Sequence, residues 1–463
     1  MKKFGIGMAL AIGVGGMAQA QADGPALGTN RITQAQITSG TMTMKELRRA
    51  GLVVFCTPFN KQDGFGDGPV NVADPKSPGG RPTINGTWMH VNGLDSQTCL
   101  ECHFARTTNT IPMTFAVGGT GGIAASAFPG IQNFDLSDAD GNDVADIDGR
   151  TINPPFVFGS GGVELVGKEM TADLQALKAS AQANPGSVVA LVAKGIDFGS
   201  ISYDAITGFD TSQVVGVDGD LVVRPFGRKG DNSSIRKFDT GALQFHHGMQ
   251  PEEIVGTGVD ADGDGVVNEI LVGELSALHI YSVNTERPKR AGRVISPGAN
   301  QLFNSIGCAQ CHTPVMQTNS TNLNLTFPEI EEDPNANVYL SVDLTDTAGF
   351  ETNNFGGVRV EMFSDLKRHD MGASLAETTG GALDRFFVTP RLWGVADTAP
   401  YMHDGRALTL RDAIVAHDGD ALFAAQAFEA LSSTDQTSVL NLLGRLRVPD
   451  APSADISAPI RVR

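Results

Sequence analysis

Apolar residues along this chain recur at helical spacing in five stretches, 161–177, 243–255, 298–306, 408–417 and 434–446. No run alternates strongly enough to predict a strand. The helical stretches are separated by long segments rich in glycine and proline, so the pattern predicts a mainly α protein with long irregular loops. A further apolar run, from Phe4 to about Ala18, follows Met1-Lys2-Lys3 and leads into Ala18-Gln19-Ala20-Gln21-Ala22. It is too short and too rich in glycine for a good spanning helix. A charged start, a short apolar stretch and an Ala-x-Ala site predict a signal peptide over residues 1–22 and a periplasmic mature protein. No later stretch is apolar and long enough to predict a membrane span.

Composition adds a problem that chemistry then answers. With 55 Gly but only 4 Tyr and 2 Trp, the core needs apolar mass beyond its aromatic side chains. Five cysteines in an exported chain would first suggest disulfides. Four of the five, however, fall in Cys99-Leu-Glu-Cys102-His103 and Cys308-Ala-Gln-Cys311-His312. Cys-x-x-Cys-His attaches c-type haem: the two thiols add to the vinyl groups, and the histidine turns onto the iron. A thioredoxin-like pair requires neither the histidine nor a second copy. Two haems would also supply the missing apolar plates. Cys56 is left over, with no evident partner and no neighbour to make it a nucleophile.

The motifs divide the chain. The expectation is a signal peptide (1–22), an N-terminal cytochrome c-like haem domain with insertions (23–290), a C-terminal one (291–450) and a loose tail (451–463). Ser296-Pro297-Gly298 marks the boundary. The sixth ligand decides what each iron does: His or Met gives an electron-transfer haem, and an open position admits peroxide or oxygen. Seven of the nine histidines, His90, His246, His247, His279, His369, His403 and His417, lie outside the motifs. His417 ends a short helical stretch capped by Thr409 with Asp412 three residues on, and Gly419 is a suitable stop. Such a position lets its ring lean over a flat cofactor. A surface histidine near a helix C-terminus would look the same.

The stretch from Thr389 through Pro400-Tyr-Met-His403-Asp-Gly-Arg406 to Ile414 resembles the bacterial dihaem cytochrome c peroxidase superfamily, which includes MauG-type enzymes. Asp365-Leu-Lys-Arg-His-Asp-Met-Gly372 and Thr409-Leu-Arg-Asp-Ala-Ile-Val-Ala-His417-Asp-Gly419 resemble its dihaem oxidoreductase (thiol oxidoreductase-like) branch. Asp138-Ala-Asp-Gly-Asn142, Gly161-Gly-Val-Glu-Leu-Val-Gly167 and Arg224-Pro-Phe-Gly-Arg-Lys229 agree more loosely. The resemblance implies that His417 stands at the distal position of the second haem, where the peroxidases often carry Met. His312 and His417 would then be its axial pair. His403 and Arg406 would lie near that haem and contact its propionates. The catalytic Glu that precedes a Met in the peroxidases is here Gly248, before Met249, and Phe238 occupies the place of a Gln. Acid–base work would therefore fall to His246 or His247, or one of the two would ligate the first iron, with Glu164 a further acid–base candidate. A surface pair of histidines that merely packs remains the alternative. His369 reads as structural, and Met371 and Met402 as core thioethers.

Asp260-Ala-Asp262-Gly-Asp264-Gly-Val-Val-Asn268-Glu269 offers hard oxygen donors at alternate positions, as a calcium loop does, although Glu269 comes too early for an EF-hand. Asp138-Ala-Asp140-Gly-Asn142 is a looser second case. An Asx-rich turn is the plainer reading of both. A net charge of −18 argues against nucleic acid and suits a positively patched redox partner. The resemblance implies a peroxidase-like oxidoreductase, and the signal peptide places it in the periplasm; a homodimer is a further expectation. A small electron-transfer protein would feed the second haem, and hydrogen peroxide would be reduced at the first. A non-enzymatic dihaem electron carrier and a haem-dependent oxygenase are the rival readings. A MauG-type activity is disfavoured, because a Tyr is expected where His417 stands.

Overall fold

The computed structural model describes residues 24–60, 62–66, 98–101, 103, 134–137, 146–149, 153–292, 297–379 and 382–456. The signal peptide, His90, Cys102, the Asp138–Asn142 loop and the end of the tail lie outside the described residues. Ten α-helices are described: α1 (Gln34–Thr38), α2 (Met44–Cys56), α3 (Ser160–Ala183), α4 (Ile235–His247), α5 (Glu252–Val255), α6 (Val272–Val283), α7 (Pro297–Ser305), α8 (Leu410–Val415), α9 (Leu422–Glu429) and α10 (Ser433–Leu443). No helix among them is long and apolar enough to cross a membrane.

The expectation of a mainly α protein is wrong. The described structure has 34% helix and 17% strand, in several small sheets, and is mixed α/β. Every strand pairing described is antiparallel, in sheets of two or three strands. Most of these strands are two to six residues long, shorter than the window in which alternation shows. The longest hairpin pairs Val188–Ala193 with Ile196–Asp204 through Lys194 (φ 49°) and Gly195 (φ 81°). A two-residue turn with both φ positive usually announces itself as Asn-Gly; Lys194 in the first place hides it.

The helical expectations fare better. Stretch 161–177 is the N-terminal part of α3, and 298–306, 408–417 and 434–446 correspond to α7, α8 and α10. Stretch 243–255 is displaced: α4 starts at a Ser234 cap and stops at Gly248 (φ 63°), and α5 follows as a separate turn. Helices α2 and α6 carry no expected stretch. All but one residue of α6 is buried, so it has no polar face to betray its period.

One core takes side chains from both sides of residue 290, with Val163, Val166 and Leu174 of α3 meeting Leu323, Leu325 and Val358. A second cluster joins α2, α4 and α6 around Phe55, Phe59, Leu243 and Tyr281, with Cys99 and Cys56 packed in it. A third surrounds Cys308 with Phe303, Ile306, Phe363 and Phe428. Helix α2 approaches α6 closely because residue 51 is glycine. A Cβ there would fall on the Ala277 carbonyl oxygen and within 2.5 Å of Tyr281 Cβ. Gly51→Ala should therefore force the helices apart and lower stability by about 1–3 kcal/mol, read as an earlier urea midpoint at unchanged slope.

Candidate haem sites

The second motif is shaped by a sharp reversal after α7. Gly307, at φ 92°, turns the chain into a single 3-10 turn at Cys308–Gln310. The His312 N–H then closes on the Cys308 carbonyl at 2.9 Å. His312 Nδ1 lies 3.0 Å from the Phe363 carbonyl oxygen. A carbonyl only accepts, so Nδ1 carries the proton and Nε2 keeps its lone pair. Phe363 itself sits at φ 56°, an uncommon conformation for a bulky residue.

His417 arrives from the other side. Thr409 and Asp412 form a full capping box on α8, as their spacing suggested. His417 follows one residue after the Ala416 C-cap, and its Nδ1 lies 2.7 Å from the Ala413 carbonyl oxygen. The two imidazoles face each other with ring centroids 6.3 Å apart and planes at 70°. Burial, with His417 beside it, pushes His312 down to about 4. Burial also lowers His417, against the pull of the Ala413 carbonyl. Both rings are thus neutral near pH 7, the form that binds metal.

The residues around this pair are more varied. His369 pairs with Asp365 at 2.8 Å, and those two groups and the Cys311 thiol lie within 4.8 Å of one another. Burial opposes protonation of His369, but Asp365 and Cys311 raise it to about 10. His403 stacks on Phe387 at 4.6 Å and lies 3.4 Å from Glu377. Arg406 pairs with Asp404 and donates to the Ser374 carbonyl at 2.6 Å, while the Ser374 hydroxyl donates to Asp418, next to His417.

The first motif repeats the local geometry. Cys99–Glu101 forms the same 3-10 turn, and the His103 N–H closes on the Cys99 carbonyl at 2.8 Å. His103 Nδ1 lies 2.6 Å from the Pro155 carbonyl oxygen, as His312 lies against Phe363. Burial lowers the His103 pKa. His247, at the end of α4, is buried edge-on against Phe59, and its Nε2 is 3.8 Å from Cys99 Sγ. His246, its half-buried neighbour, shares the end of that helix.

Glu164 is in a different setting. Its carboxylate is fully buried, 2.9 Å from Lys168 Nζ and 3.0 Å from His279 Nε2, and it accepts the Ile235 N–H at 3.0 Å. Sequence reasoning missed His279 as its partner, because 115 residues separate them. It also missed the Pro155 and Phe363 carbonyls that orient the two motif histidines; a backbone acceptor leaves no mark on residue type.

In the acidic loop, the Asp260, Asp262 and Asp264 carboxylates lie within 4.8 Å of one another. Burial and then Asp264 raise Asp262 to about 6. Glu269 reaches about 9 through burial and the three aspartates, although the Gln250 N–H lowers it. The Asn268 side-chain oxygen accepts the Gly258 N–H at 2.6 Å.

Residues 248–446 match the family described as "Di-haem oxidoreductase, putative peroxidase". That region, less than half of the 463-residue chain, is similar to the di-haem oxidoreductase family. The match contains the Cys308–His312 motif, His417 and the acidic loop. The match supports haem as a cofactor, and Cys99–His103, outside the match, is a second Cys-x-x-Cys-His unit. Among solved structures, hydrazine synthase of Kuenenia stuttgartiensis, pressurised with 20 bar xenon, is similar at 16% identity. That alignment covers 55% of this chain and 78% of the other, with a TM-score of 0.29. No curated protein matches the chain.

Proposed function

We propose that this protein is a periplasmic di-haem c-type cytochrome with peroxidase-like oxidoreductase activity. The observation that carries the reading is the His312–His417 pair. Metal–nitrogen bonds of about 2 Å, each extended by roughly 1.1 Å to the ring centre, would put two imidazoles that share one iron about 6.2 Å apart. The observed centroid separation is 6.3 Å, with each Nδ1 held by a carbonyl and each Nε2 left as the donor. Cys308 and Cys311 hold that haem covalently, as Cys99 and Cys102 hold the other with His103 as ligand. Bound there, haem supplies electron storage at the second site and reduction of hydrogen peroxide at the first, fed by a small periplasmic electron-transfer protein. His247, buried beside Cys99, is the residue placed to hold or release a proton near the first site. Residues 1–22 act as the export signal, and calcium at the 260–269 loop completes the cofactor set.

The test uses the exported protein. Mass spectrometry after acid–acetone extraction should find two haems still attached, and one in Cys308→Ala/Cys311→Ala. Reduced cytochrome should be oxidised on peroxide addition. Haem removed by the extraction overturns covalent attachment. Two low-spin irons with peroxide untouched would leave the electron-carrier reading in place of the peroxidase.

A further inference from the structure

The Pro155 carbonyl orients His103 only if its own stretch of chain is held still, and residues 153–157 belong to no helix or strand. Asn153, two residues earlier, supplies the hold. Its backbone N–H donates to the His403 carbonyl at 2.8 Å. Its side-chain amide nitrogen donates to the carbonyls of Pro400 and Met402, at 2.8 and 2.9 Å. One residue thus binds three carbonyls of a single turn. The amide must point this way, because its oxygen would meet two acceptors there. That oxygen is instead buried without a hydrogen-bond partner. The side chain therefore serves through its two donors alone. The turn it grips is closed by the Tyr401 N–H on the Ala407 carbonyl at 2.7 Å. Met402 within it sits at φ 71°, a region that residues other than glycine seldom adopt.

We infer that Asn153 is a positioning residue for the first haem: by clamping residues 153–155 onto the 400–403 turn, it sets the Pro155 carbonyl against His103 Nδ1 and so sets how strongly His103 donates to iron. The inference rests on the haem reading above. A carbonyl that accepts the Nδ1 proton leaves more negative charge on the ring, so Nε2 becomes a stronger donor and favours ferric iron. At 2.6 Å the His103–Pro155 contact is shorter than the usual N–H···O distance of about 2.9 Å. Slackening of the 153–155 stretch would lengthen it and lower the ring's basicity. The second site is built differently. There the acceptor belongs to Phe363, which is buried in the cluster around Cys308 and is held by packing. Asn153 should therefore act on one haem and not on the other.

The experiment compares haem-loaded wild type with Asn153→Ala and Asn153→Leu. Both remove the two donors, and leucine keeps nearly the same bulk, so either variant that folds is enough. In a redox titration the first haem's potential should rise and the second's should stay, the second being the haem whose spectrum changes in His417→Gly. By proton NMR of the oxidised protein, the iron-shifted His103 Nδ1 proton should exchange with solvent faster than in the wild type. Amide exchange, which needs no haem signal, should speed up by roughly tenfold over residues 401–407. An unmoved first-haem potential overturns the positioning role, and faster exchange beside it would leave Asn153 a clamp of the fold only. Unchanged exchange overturns the clamp itself. Equal shifts of both haems would trace the effect to the fold as a whole and overturn the inference too. Faster exchange in a protein that carries no haem at Cys99 and Cys102 would sink the haem reading, and the positioning role with it, while the clamp stood.

Discussion

Replacing His417 by glycine converts the second haem of the oxidised protein from low-spin to high-spin. The expectation follows from how little else is able to fill the position. His417 is held one residue beyond α8 by its own Nδ1 contact to Ala413 and faces His312 across 6.3 Å. Glycine removes the only ring facing His312 among the described residues, and the helix cap at Thr409 is far enough upstream to survive. All of that haem's low-spin EPR signal should be lost, and added imidazole should restore it by entering the space the side chain left. His417→Met should keep six ligands and raise the reduction potential, because a thioether donates less to the ferric iron than an imidazole does. An unchanged low-spin signal in the glycine variant would end the ligand assignment. His312→Gly should behave differently, losing the ligand inside the attachment motif itself.

Much of the second site was legible because its parts are local. Cys308, Cys311 and His312 lie within one turn, and Thr409, Asp412 and His417 within another. Periodicity and capping rules read such segments well. The resemblance then brought the two segments together, and the structure sets them face to face. The first site was legible only as far as its motif. His247 beside Cys99 depends on α4 beginning at Ser234, a boundary hidden because residues 235–242 mix Lys, Asp, Thr and Gly with few apolar positions. The mainly α expectation failed for a related reason: the sheets are hairpins built from strands too short to show alternation. The calcium-like spacing of Asp260, Asp262 and Asp264 could be read directly. That Glu269 reaches back to Gln250 and Gly64 could not, since it is a matter of tertiary packing.

Glu164→Gln should destabilise the protein by about 3–5 kcal/mol, which places Glu164 among the groups that hold the fold rather than those that turn over substrate. The carboxylate is completely buried between Lys168 and His279, with a third hydrogen bond from Ile235. Burial alone would push its pKa up. Lys168, His279 and the Ile235 N–H outweigh burial and hold it well below the usual carboxylate range. A base so strongly held in its ionised form is a poor proton acceptor near neutrality. The amide removes one charge and leaves Lys168 facing a neutral group in a buried site, the situation in which broken ion pairs are most damaging. The sign of the pH dependence follows from the depressed value. The stabilisation is complete above the ordinary carboxyl pKa of 4.5 and is lost as pH falls from there towards the lower folded value. Wild type should therefore lose stability steeply on acidification below about pH 4.5, and Glu164→Gln should start lower and fall less. Urea midpoints at pH 7, 5 and 3.5 measure both. If the variant kept its midpoint at pH 7 and lost only peroxide turnover, the assignment would reverse, and Glu164 would return as the acid–base group of the first site.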